Sequence, residues 1–120
     1  MIELLIVIII LSALAALALP AYFASTERSR RQEAIASLSA TRESQMRFYA
    51  LGKVYSLTLA GLDFDPSNTA NDPPGSNRHY TYAMGGGPTT SAYTVVATRN
   101  GVDGGNGTDT VTINQAGTIT

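Results

Sequence analysis

At 120 residues the chain holds one modest domain. A net charge of −1, from 8 basic and 9 acidic residues, argues against a strong field for nucleic acid or anionic lipid. The absence of cysteine excludes disulfides, thiolate metal sites and cysteine nucleophiles. A small domain without such staples draws stability from elsewhere, and oligomerisation is the expected source.

The first element is apolar. From Leu4 to Leu19 the only polar side chain is Ser12, and with its ends the stretch reaches the roughly 20 residues that a bilayer-spanning helix needs. A secretory signal peptide would carry a basic region before this run, where Met1, Ile2 and Glu3 stand instead. Ala13, Ala15, Ala16 and Ala18 slim the second half, which lets helix backbones approach closely. Pro20 removes a backbone donor, so a kink or melted turn is expected around residues 12–20.

Residues 21–52 contain no further proline, and no glycine before Gly52, and they favour a second helical stretch ending at that glycine. Glu27 with Arg31, and Glu43 with Arg47, stand four apart in the favourable acid-before-base order. The apolar face carries Ala34, Ile35, Leu38, Phe48 and Tyr49 but is broken by Thr41, Arg42 and Gln45, which predicts packing only along the later half. Residues 53–78 hold turn formers, among them Asp65-Pro66, and read as a long surface connection pinned by Leu57, Leu59, Leu62 and Phe64. Residues 79–120 read as an antiparallel meander: His79–Met84, Ala92–Arg99, Asp109–Gln115 and a short last strand, Thr118–Thr120, after a tight turn at Gln115-Ala116-Gly117. The expected class is α+β, a long N-terminal helix whose second half packs on a small antiparallel sheet. Its segments are a membrane or filament-core stretch (1–20), an amphipathic helix (21–52), a variable loop (53–78) and the sheet (79–120).

Ile2-Glu3-Leu4-Leu5-Ile6-Val7-Ile8, the alanine-rich half that follows, and Pro20-Ala21-Tyr22 together resemble the N-terminal motif of type IV pilins and pseudopilins. An acidic residue at the start of a membrane-length helix is otherwise rare. The resemblance implies a leader removed by a prepilin peptidase, a methylated amino terminus, and a Phe and one further residue ahead of Met1. It implies a single-pass inner-membrane precursor that the assembly machinery polymerises into a helical homopolymer on the bacterial surface. The major subunit is the expected identity. A type II secretion pseudopilin or a minor pilin is the alternative within the family, and a membrane-anchored binding domain that never polymerises lies outside it.

On that resemblance Glu3 would meet the charged terminus of a neighbouring subunit, with Met1, Ser12 and Pro20 shaping assembly. Leu4, Leu5, Val7, Ile8, Leu11, Ala15 and Ala16 would pack the helical core. Ser12 stands where many members have glycine, so the melted stretch is expected to be short. No catalytic constellation, cofactor site or specific nucleic-acid partner is expected: His79 is the only histidine and no nucleophile elbow or zinc-binding helix accompanies it. The Gly-, Asn- and Asp-rich run 100–109 suits a hairpin loop. The same residues can surround calcium, with Asp103 and Asp109 as its carboxylates, and Asn106-Gly107-Thr108 matches a glycosylation acceptor. Tyr22, Phe23, Phe48 and Tyr49 are read as packing residues rather than an electron path.

Overall fold

A computed structural model describes residues 1–71, 78–101 and 107–120. Helix α1 runs from Ile2 to Gly52 without interruption. Strands β1 (Tyr80–Met84), β2 (Thr94–Arg99) and β3 (Thr110–Asn114) form an antiparallel sheet in the order β1-β2-β3, and short 3-10 turns at Leu59–Gly61 and Thr69–Asn71 punctuate the connection. By internal contacts the chain divides into two compact units, Met1–Arg31 and Gln32–Thr120. The strands fall within two residues of their sequence positions, and the expected last strand is an isolated bridge, Ile113 with Ile119. That segment still pairs with β3, because Thr112 and Thr120 exchange both backbone hydrogen bonds, at 2.8 and 3.1 Å.

Three local expectations change. Residues 12–20 are helical throughout, so of the expected kink or melted turn the single chain shows no melted one. Proline deletes a single N–H, and the residues flanking it keep their own bonds along the helix. The helix also does not stop at Gly52 through a left-handed glycine. Lys53 takes that conformation, with φ 60°, and its N–H donates to the Tyr49 carbonyl at 2.7 Å. The helix thus ends at Gly52 as expected, but through an αL cap in which lysine holds the position glycine favours. Finally, Glu27 bonds Arg30 at 2.7 Å, three residues on, and Arg47 turns from Glu43 to Asp63. Positions three and four apart are both within reach on a helix, and a carboxylate from another segment competes with either.

The core of the second unit explains why a polar-looking helix face can be buried. Strand register places Tyr80, Tyr82 and Met84 beside Arg99, Ala97 and Val95, and these beside Val111 and Ile113. Every one of these side chains therefore falls on one face, and a one-residue slip would turn all of them outward. Val95, Ala97 and Val111 are wholly buried, in one cluster with Ala34 and Leu38 of α1. The middle of that helix face is buried too, against the expectation of weak packing there: Thr41, Ser44 and Gln45 are at most 1% exposed. Each has a polar partner. Thr41 Oγ1 donates to the Ser37 carbonyl at 2.8 Å, and Ser44 bonds Asp63. Gln45 Nε2 donates to the Ser56 carbonyl at 3.0 Å while its Oε1 accepts from Ser56 N–H at 2.9 Å. Burying such groups is tolerable only when they are bonded in this way.

Candidate assembly segment and surface sites

In the first unit the residues expected to build a filament core all lie on α1. An 18-residue window of this helix has mean hydropathy 2.9 and is 0% buried within the chain, so it is long and apolar enough to cross a membrane. Leu4, Leu5, Val7, Ile8 and Leu11 stand between 50% and 64% exposed, which is open surface for lipid or for other helices. Ala15 and Ala16 are exposed as well. Glu3 sits exposed in the first turn, where its charge complements the positive end of the helix dipole, beside Met1. Ser12 Oγ donates to the Ile9 carbonyl at 2.8 Å, so its hydroxyl is satisfied inside its own helix. Tyr22 and Phe23, expected to pack in a core, are instead 67% and 63% exposed, with their rings edge to face at 6.0 Å.

The second unit carries its own polar cluster. Arg47 meets Asp63 through Nε at 2.7 Å and Nη2 at 3.2 Å, a forked pair to which Ser44 adds a third bond. The Arg47 and then the Ser44 hydrogen bonds hold the Asp63 carboxyl at about 2, below its usual 3.8, and Asp63 in turn raises Arg47. A cleft of about 240 Å³ lies beside this pair, lined also by Phe48, Leu51 and Gly61. A second, of about 310 Å³, lies at the β1–β2 turn among Gly85, Gly86, Gly87, Tyr93, Asn114 and neighbouring residues. His79 Nδ1 lies 3.3 Å from Glu33 Oε2. Tyr49 stacks on Tyr55 at 4.7 Å, Tyr55 meets Tyr93 edge to face at 4.9 Å, and burial pushes the Tyr93 phenol up to about 12. Phe48 packs against the core cluster.

Among the described residues, no group of three or more His, Cys, Asp or Glu could hold a metal ion. Asp103 and Asn106 lie outside the described residues, so only Asp109 of the calcium pair has a place, exposed just before β3, where its carbonyl accepts from Arg99 N–H at 2.8 Å. Sequence reasoning missed the bonds of Ser44 and Gln45 to the connection. The turn-rich composition of residues 53–78 marked that segment as a loop but not as the partner of a helix.

Comparison with known proteins rests largely on the chain beyond Leu19. A family described as "Type IV minor pilin ComP, DNA uptake sequence receptor" matches residues 20–110, more than half of the chain. Among solved structures, the non-core minor pilin PilV of Neisseria meningitidis is similar in fold. Its TM-score is 0.55 at 19% identity, over 79% of this chain and 85% of that one. No curated protein matches by sequence. The apolar helix with its acidic first turn, the antiparallel sheet that follows it in the sequence and the family match agree, and the chain belongs to the type IV minor pilin family.

Proposed function

We propose that this protein is a minor subunit of a type IV filament, held in the inner membrane by α1 until the assembly machinery draws it into the polymer. One observation carries the reading: an 18-residue apolar window, none of it buried within the chain, on a helix that continues into a folded α+β unit. Such a surface is stable only in lipid or against other apolar helices. Glu3 serves as the registry device, because a carboxylate enclosed by apolar helices needs a cationic partner, and the amino terminus of a neighbouring subunit supplies one. The family description moves the reading from the major subunit expected from sequence to a minor one.

The same description names a DNA uptake sequence receptor, and it supports a second reading in which the exposed unit meets DNA. Charge bears on how. The unit Gln32–Thr120 has five basic residues, Arg42, Arg47, Lys53, Arg78 and Arg99, against seven acidic ones. Arg47 is committed to Asp63 and Arg99 is 2% exposed. A general phosphate field is therefore weak, and recognition would depend on a few directed contacts to base edges.

Intact-mass spectrometry of sheared filaments tests the first reading. The chain should appear there as a minor component, and confinement to the membrane fraction would count against it. Fluorescence anisotropy with duplexes carrying or lacking an uptake sequence tests the second, where equal affinity for both would end it.

A further inference from the structure

Net charge over the whole chain hides a local concentration. Arg28, Arg30 and Arg31 lie within one turn of α1, and Tyr22 and Phe23 lie just before them. At 1.5 Å per residue the stretch from Leu4 to Ser25, which carries no charged side chain, is about 32 Å long, the thickness of a bilayer's hydrocarbon core. On the same scale Arg28 lies about 4–5 Å beyond its end and Arg31 about 9 Å, a span that overlaps the phosphate layer. The two exposed aromatic rings occupy the boundary that such side chains favour.

The charges are also distributed suitably for lipid. At about 100° per residue, Arg28 and Arg31 are about 60° apart, whereas Tyr22 and Phe23 point about 120° and 220° round the axis from Arg28. The two arginines thus share one face and the two rings stand round the rest of the helix, so charged and aromatic groups together meet a surrounding layer on more than one side. Glu27, the acidic residue of this turn, is bonded to Arg30 at 2.7 Å, and Glu33 is bonded to His79. Arg28 and Arg31 are exposed.

We propose that Arg28 and Arg31 form a collar that binds the phosphates of anionic phospholipid headgroups where α1 leaves the bilayer. The proposal rests on the membrane-anchored reading above and adds to it a preference for anionic lipid. Each arginine near such a surface is worth about fivefold in local partitioning, and the nearby Glu27 lowers the total, so an enrichment of about five- to tenfold is expected. The proposal thus departs, at this one turn, from the expectation drawn from net charge that the chain lacks a strong field for anionic lipid.

The test uses the full chain in nanodiscs of mixed phosphatidylglycerol and phosphatidylcholine, with the retained lipids counted by native mass spectrometry. Wild type should keep phosphatidylglycerol about five- to tenfold over its bulk share. The double variant Arg28→Gln with Arg31→Gln should fall to parity, and the Arg28→Lys with Arg31→Lys double should keep most of the enrichment. No enrichment in wild type, or unchanged enrichment in the glutamine variant, overturns the collar. Failure of wild type to enter the nanodisc would overturn the anchored reading together with the collar, whereas entry without lipid preference overturns the collar alone. Loss of the bound lipid to a short DNA duplex added at equal phosphate would reassign the arginines to nucleic acid and also overturn it.

Discussion

Replacing Gln45 by leucine tests the idea that a polar side chain, not an apolar one, fastens α1 to the connection after it. Gln45 is wholly buried and both ends of its amide are used on the backbone of Ser56, itself 6% exposed, at 3.0 and 2.9 Å. Leucine is of similar size, so little cavity opens, but one buried N–H and one buried carbonyl lose their partner. Each stranded group costs about 1–3 kcal/mol, and the added apolar burial returns part of that, for a net loss of about 2–4 kcal/mol. Against a total stability of about 5–15 kcal/mol this is a large fraction, and at about 4–8 °C per kcal/mol it lowers the melting temperature by about 8–32 °C. The assay is urea unfolding of the full chain in detergent micelles, followed by tyrosine fluorescence, which reports the tyrosine-rich second unit. Gln32→Leu, at an exposed position of the same helix, should stay within about 0.5 kcal/mol of wild type. A Gln45→Leu midpoint equal to or above wild type, with unchanged slope, would refute the argument.

Lys53→Gly should stabilise by about 0.5–1 kcal/mol in the same titration, since glycine adopts the left-handed cap without the steric cost lysine carries and returns part of the gain through its looser unfolded chain; a lower midpoint would contradict the cap assignment. The Asp63 carboxyl is held down to about 2, so its contribution is present above the ordinary 3.8 and is lost as pH falls from about 4 to about 2. Asp63→Asn should flatten the stability profile in that window, and a profile as steep as wild type would show that other carboxylates carry it. The Tyr93 hydroxyl is buried with no hydrogen-bond partner among the described residues, so Tyr93→Phe should be neutral or stabilising by about 1 kcal/mol at pH 7. Its phenol is raised to about 12, so the stability tied to it is complete below pH 10 and lost as pH rises toward 12. The variant should therefore lose less stability than wild type over that range, as a pH-jump melt would show. Glu3→Leu should leave the chain in the membrane yet reduce its share of sheared filaments, measured by quantitative mass spectrometry. An undiminished share would remove the registry role.

How much of this could be read without coordinates depended on whether the determining contact was local. The apolar run, the acidic first turn, the strands and the turn at Gly117 all follow from side-chain type and period, because each is decided within a few residues. Gly117 has φ 85°, and its N–H donates to the Asn114 carbonyl at 2.9 Å, as a tight turn with glycine at its end requires. The pairing of Glu27 was local as well, yet the choice between Arg30 and Arg31 rests on rotamers that spacing does not specify. Composition also misjudged Tyr22 and Phe23, whose aromatic character suggested a core although the surrounding helix offers none within the chain.

By itself the sequence determined an N-terminal helix too apolar for water and the period-two strands that follow, since transfer free energy and backbone geometry act residue by residue. Only the tertiary structure decided that Thr41, Ser44 and Gln45 are interior. Their burial depends on partners at Ser56 and Asp63 brought back by the connection, as well as on Ser37 within the helix. A polar group is stable in a protein interior when its hydrogen bonds are completed there, and that completion is a property of the folded arrangement.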